Sequence, residues 1–303
     1  MAASTVTFHR GNNVSLFRQL WRVGRGSLLY LCDSHTWTKT PDPVGVQMWR
    51  TLRYRCVSSG LPLTGNDRRL LSFRNRHAGQ RAFVIGNGPS LNKCDLRKLK
   101  SEITFGVNSI FLNEEKMGFR PSYYVVEDIF VAEDRAREIK PYQGPVKFFG
   151  NYLRYCLGGA VDAIWLNVWV NYDDYDDFPH FSEKASRGVW VGGTVSYICL
   201  QLAYYMGFRQ VYLVGFDHNY VIPHDAVVTN HDDDIRSTSD DPNHFDPRYF
   251  GKGYRWHDPH VERMDRALRK ARKHFEADGR AIHNATVGGK LEVFPRVEYG
   301  SLF

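Results

Sequence analysis

The residues of this chain with the most chemical potential sit directly behind short apolar runs. Phe83, Val84 and Ile85 are followed by Gly86, Asn87, Gly88, Pro89 and Ser90. Glycines let a backbone come close to a ligand, and turn N–H groups with Asn and Ser side chains suit a phosphate or a ribose. The turn reads either as a nucleotide cradle or as a plain strand-to-loop turn. It is neither GxGxxG nor a P-loop with its lysine, so generic dinucleotide or ATP binding gains little from it. Asn108-Ser109 follows the apolar run 103–107, and Glu127-Asp128 follows 123–126. Asn87, Asn108 and Glu127 would thus face one crevice, where amides and carboxylates can read base edges and ribose hydroxyls; singly, each could equally cap a strand end.

These turns need elements to position them. Apolar runs at 82–86, 103–108, 123–127, 146–150, 163–169, 210–216 and 281–285 read as strands, and 129–139, 194–206 and 259–277 as helices. Buried-looking strands alternating with helices predict a Rossmann-like α/β fold, a mostly parallel sheet with helices on both faces. In such a sheet ligands bind at the carboxyl ends of the strands. Asp217, after the run 210–216, and Asn284, with Gly288-Gly289 close behind, would stand at two more strand ends.

At 303 residues and 43% hydrophobic, the chain can bury one large core and carry an appendage. Its net charge of +7 is uneven: residues 1–81 hold 13 Lys and Arg against three acids, and the remainder is slightly acidic. The expected division is a basic N-terminal extension, 1–80, and a Rossmann-like domain, 81–303. In the segment 14–31, Val14, Phe17, Leu20 and Trp21 recur at helical spacing, with Arg18, Arg22 and Arg25 opposite. That pattern fits a helix lying on a membrane surface or one packed on the main domain. The basic residues come without a nucleic-acid-binding signature, so no nucleic acid is expected. Five cysteines without CxxC spacing exclude a disulfide framework or zinc site, and no signal-peptide pattern or long apolar run is present. The expectation is a cytoplasmic protein, peripheral on the inner face of the cytoplasmic membrane should 14–31 lie on it.

The motifs FVIGNGPSL, FGVNSIFL and GGTVSYICLQLAYYMGFRQVYLVGFDHNY resemble the bacterial sialyltransferases of glycosyltransferase family 42. They are also similar to the wider group of motility accessory factors and 6-hydroxymethylpterin diphosphokinase MptE-like domains. The resemblance runs from about Arg81 to about Arg296. It implies an inverting transfer of a sialic-acid-like or other nonulosonic acid from a CMP-activated donor to a glycan or lipid-linked acceptor, without a required cofactor or metal. It makes 81–303 a nucleotide-sugar-binding catalytic domain and places the nucleotide on Gly86, Asn87, Gly88, Ser90 and Asn108; Pro89, Glu127, Gly193, Thr194, Asp217 and Asn284 are expected beside them to complete the nucleotide site. Matching the helix after YRWHDPH makes His257 the general base on the acceptor hydroxyl, with His260 the rival; imidazole suits the task because it titrates near neutrality.

The chain departs from this pattern where the leaving phosphate would be held. Tyr220 lies one residue from the family's first tyrosine, and the second has no match, leaving Tyr249 or Tyr254 as substitutes. The acidic loops 171–178 and 231–246 read as a metal site, a lid or solvated loop. Two other readings stand beside the transferase: an ATP-dependent pterin diphosphokinase using Mg²⁺ and the acidic loops, and a non-catalytic nucleotide-binding assembly factor.

Overall fold

A computed structural model describes residues 44–170, 179–222, 227–228 and 234–303. The segments 14–31 and 171–178 and the start of the second acidic loop, 231–233, lie outside the described residues.

The strands in chain order are β1 (Arg81–Ile85), β2 (Thr104–Val107), β3 (Tyr123–Val126), β4 (Val146–Gly150), β5 (Ala163–Leu166), β6 (Val168–Trp169), β7 (Val189–Trp190), β8 (Gln210–Val214), β9 (Val227–Val228), β10 (Asp234–Arg236), β11 (Arg255–His257) and β12 (Ala281–Asn284). The helices are α1 (Val44–Ser58), α2 (Gly65–Leu71), α3 (Glu114–Met117), α4 (Ile129–Asp134), α5 (Ala136–Ile139), α6 (Arg154–Leu157), α7 (Val195–Tyr205) and α8 (Val261–Ala277). Among the described residues, seven strands form a central sheet in the order β12-β8-β1-β2-β3-β4-β5, parallel throughout. This is the α/β architecture expected from the sequence.

Adjacent strand residues point to opposite faces. Tyr123 meets Phe73, in the segment after α2, and Tyr124 meets Tyr142, in the segment after α5. Both faces of the sheet are therefore covered, which is why its strands read as continuous apolar runs rather than alternating ones. Helix α8 shows the complementary pattern: Met264, Ala267, Leu268, Ala271 and Phe275 form one buried stripe at helical spacing, packed toward α7 and β12.

Register brings the carboxyl ends level. Ile85 pairs with Val214 of β8 and Gly106 of β2, and Val107 pairs with Val125. The turns beginning at Gly86, Asn108, Glu127 and Gly215 therefore open on one edge. Chain progression reverses between β1 and β8, so the switch point of the sheet, where open α/β sheets bind ligands, lies between the turns of those two strands.

Two readings of local structure are revised. The run 163–169 is two strands, β5 and β6, interrupted at the buried Asn167. The expected helix 129–139 breaks at Arg135, whose buried guanidinium donates to the carbonyls of Arg248 and Tyr249. Residues 44–71, inside the basic region, carry two helices. Arg53 of α1 makes a bidentate pair with Asp67 of α2, which also completes a capping box with Thr64. Asn66 then bonds the backbone of Trp165 in both directions, which holds α2 on β5.

Candidate functional site

The turn after β1 is tight because it touches the turn after β8. A Cβ on Gly86 would lie 2.5 Å from the carbonyl oxygen of Gly215, and one on Gly88 would lie 1.9 Å from Oδ2 of Asp217. The same carboxylate oxygen accepts hydrogen bonds from the Ser90 hydroxyl at 2.6 Å and the Ser90 N–H at 3.2 Å. Gly86, Gly88, Ser90 and Asp217 thus lock two strand ends together, with Pro89 opening a short 3₁₀ turn (Pro89–Lys93). The Ser90 donors face a carboxylate.

Asn87 points the other way, over β1 and β2. Its amide nitrogen donates to the carbonyl of Val107 and to the hydroxyl of Tyr249, while its Oδ1 is buried without a partner among the described residues. Oδ1 of Asn108 and Oγ of Ser109 are buried and bare in the same way. Asn108 adopts a left-handed backbone, φ 48°, a conformation that costs most residues energy but that Asn tolerates. It is held there by its N–H on Val125 and by the Tyr124 hydroxyl on its carbonyl. Glu127 follows on β3. It keeps some contact with solvent, yet protein atoms crowd its carboxyl group; burial, with the charge of Asp128 added, pushes its pKa up to about 8. At neutral pH this carboxyl is mostly protonated and offers one donor and one acceptor.

A segment from the second half of the molecule covers these groups. Asp241 folds it by accepting from the N–H groups of Asn243 and Phe250 and pairing with His244. The Phe245 N–H donates to the Asn87 carbonyl, Asn92 bonds the Phe245 carbonyl, and Arg135 holds residues 248 and 249. Tyr249 reaches the crevice from this cover, its ring stacked on His244 at 3.9 Å and its hydroxyl pushed well up by burial.

His257 stands at the β3 side. It lies on β11, which Arg255 pins to α4 through Glu133 and Asp134. Its ring stacks on Phe130 at 4.2 Å, with Nε2 4.0 Å from Oδ1 of Asp128, the residue that caps α4. His260, three residues on, is exposed and immediately precedes α8.

The remaining sequence-predicted residues gather on the β8 side. Gly193, in a left-handed conformation, packs on Arg263 and Met264 of α8, and Thr194 caps α7 through the N–H of Ser196. The Tyr220 hydroxyl approaches the sulfur of Met264. Asn284 is wholly buried and its amide is spent on its own loop, donating to the Leu291 carbonyl and accepting from the Thr286 N–H. Sequence reasoning passed over Asp128, Arg135 and the pair formed by His218 and Asp265, with Nε2 to Oδ1 at 2.9 Å. The signal for His218 was available: a titratable residue directly after Gly215-Phe216-Asp217 at a strand end. Among the described residues no group of three or more His, Cys, Asp or Glu side chains is arranged to hold a metal ion.

A family model described as "6-hydroxymethylpterin diphosphokinase MptE-like" matches residues 64–222, which include α2, the strands β1 to β8 and all three Asn87, Asn108 and Glu127 turns. The chain belongs to this family. It is one of the groups that the motifs resemble. Among solved structures, the MptE-like chain is similar to the MAf glycosyltransferase from Magnetospirillum magneticum AMB-1, at 16% identity and a TM-score of 0.46 over 94% of this chain. The chain spans about half the length of that protein, 48%. No curated protein sequence matches it. Among the described residues, no helix is long and apolar enough to cross a membrane.

Proposed function

We propose that this MptE-like protein is a nucleotide-dependent glycosyltransferase whose donor carries an amino-bearing base, most simply a CMP-activated acidic sugar. One observation carries the reading: in the turns after β1 and β2, Asn87 Oδ1, Asn108 Oδ1 and the Ser109 hydroxyl are buried without partners among the described residues, and the turn after the adjacent β3 carries the mostly protonated carboxyl of Glu127. Buried polar atoms are rarely left unpaired, and each costs about 1–3 kcal/mol. Acceptors without donors call for an amino group. A neutral carboxyl next to them complements a ring nitrogen beside an exocyclic amine, as at N3 and N4 of cytosine or N1 and N6 of adenine; uracil presents the opposite pattern. The motif resemblance selects cytidine from these two.

In this reading the acceptor is a glycan or lipid-linked hydroxyl, brought close to a membrane surface by the segment 14–31, and the transfer needs neither a metal nor a further cofactor. The resemblance gives the acceptor's proton to His257, which stands over Phe130 at the β3 edge of the crevice.

The family match favours one other reading, ATP-dependent diphosphoryl transfer to a pterin with Mg²⁺. Adenine satisfies the same base edge, so the crevice does not separate the two. A thermal-shift panel of CMP, CDP, UDP, GDP, ADP and ATP, with and without Mg²⁺, does. A ligand at 100 times its Kd stabilises the native state by about 2.7 kcal/mol. CMP should give the largest shift without metal and UDP a small one. A larger shift with ATP and Mg²⁺, and none with CMP, would replace the transferase by the diphosphokinase.

A further inference from the structure

We propose that the proton acceptor of this transfer is His218, oriented by Asp265, rather than His257; the assignment rests on the transferase reading above. Two imidazoles stand at opposite ends of the crevice, each beside a carboxylate, and they differ in geometry; a third, His244, pairs with Asp241 and is stacked on Tyr249 within the cover segment. The His218 Nε2 lies 2.9 Å from Asp265 Oδ1, a hydrogen bond, and its side chain is 9% exposed; the His257 Nε2 lies 4.0 Å from Asp128 Oδ1, too far for one, and its side chain is 35% exposed. Asp128 is moreover already accepting two backbone N–H groups as the cap of α4.

A carboxylate that takes the Nε2 proton fixes the tautomer, so Nδ1 of His218 carries the lone pair. That is the arrangement of an oriented general base. The backbone is set for it as well: His218 is held at φ 52°, a left-handed conformation that residues with a Cβ adopt at a cost and that gathers at functional positions. Asp217 anchors this turn by accepting from Ser90, and the Phe216 N–H donates to the Thr286 hydroxyl, so the backbone leading into His218 is held twice.

Position decides between the two. The groups that read the base lie over β1, β2 and β3, with Glu127 at the β3 end. His257 sits beyond that end, over Phe130. His218 lies at the switch point between β1 and β8, about 14 Å from β3 by strand spacing. With the base over β1 to β3, the sugar–phosphate bond lies away from the β3 edge, so one reactive carbon cannot be served from both. Nδ1 of His218 takes the acceptor's O–H proton, and the acceptor oxygen's electron pair forms the new bond to the anomeric carbon. The bond from that carbon to the phosphate oxygen breaks, its electron pair leaving with the nucleoside monophosphate, and the proton then passes from His218 to solvent.

The test uses the full chain with CMP-N-acetylneuraminate, UDP-glucose and GDP-mannose as donors and water as acceptor, reading released nucleotide, with nucleotide binding followed by thermal shift. His218→Gln should bind nucleotide as wild type does and lose about 10² to 10⁴ in turnover, the usual contribution of a positioned base. Asp265→Asn should lose up to about 10⁴ in turnover, because an amide no longer enforces the tautomer. His257→Gln should lose far less than His218→Gln. His218→Gly should recover turnover when imidazole is added, which a purely structural residue would not. A greater loss at His257 than at His218, or no recovery with imidazole, overturns the assignment alone. A wild-type chain that binds nucleotide yet consumes none of the three donors overturns the transferase reading, and the assignment with it.

Discussion

Asn284 closes β12 and Asn108 closes β2, at the same edge of the same sheet, and their side chains meet different fates. Asn284 has both ends of its amide engaged with its own loop, on Leu291 and Thr286, and nothing is left to offer a ligand. Asn108 keeps a bare Oδ1, as Asn87 keeps its Oδ1 and Ser109 its Oγ. An asparagine at a strand end is therefore not in itself a ligand contact. The unspent acceptor separates a residue that the fold consumes from one that the fold withholds.

Three substitutions probe that contrast. The largest effect belongs to Asn284→Ala, which leaves the buried Thr286 N–H bare and the Leu291 carbonyl with only its longer bond from Arg296. With each bare group costing about 1–3 kcal/mol, a loss of about 3 kcal/mol is expected by denaturant unfolding, with nucleotide-induced stabilisation intact. If Asn284→Ala instead spared stability and removed nucleotide binding, the contrast would be inverted.

Glu127→Gln comes next and works through pH. The carboxyl's folded pKa of about 8 lies above its ordinary 4.5, so between these values the native state keeps a proton that the unfolded state has released. Stability must then fall as pH rises through this window, by at most about 1.4 kcal/mol per unit, and level off above it. Glutamine cannot ionise, so the variant should match wild type near pH 5 and lead it by ~2 kcal/mol by pH 6.5, the gap widening further toward pH 8. Parallel stability profiles for the two proteins would mean that the carboxyl is not held neutral, and the base-reading role would go with it.

Asn108→Gly should change stability least. Glycine accepts the left-handed backbone freely and removes a bare acceptor, while its flexible unfolded chain offsets the gain, so a change within about 1 kcal/mol on the stabilising side is expected. The nucleotide-induced shift should nevertheless drop sharply. A variant both destabilised and fully competent for nucleotide would place Asn108 with Asn284.

Much of the frame was legible beforehand. All seven central strands lie within the apolar runs at 82–86 through 281–285 or one residue from them, because strands covered on both faces must be apolar throughout. The helix over 259–277 was legible from its stripe for the parallel reason. Short elements were not. β10 and β11 are three residues each, and Ile235 and Trp256 are held there by antiparallel pairing rather than by any local pattern. Nor could the sequence announce the break at Arg135, because the carbonyls that its guanidinium binds come from residues 248 and 249, more than a hundred positions away.

The candidate site divides along the same line. Gly86, Asn87, Asn108, Glu127 and Asp217 were placed at strand ends by the sequence alone, since a polar turn behind an apolar run is a local signal that folding preserves. Which of them remain available was decided by tertiary structure. Ser90 and Asp217 satisfy one another only because β1 and β8, remote in sequence, are neighbours in the sheet, and His218 acquires Asp265 only because α8 returns to the same edge. Hydrogen bonding is settled atom by atom at close range, whereas apolar patterning acts over whole elements. The sequence could therefore determine where the crevice lies, and only the packed chain could determine which of its polar atoms are still unpaired.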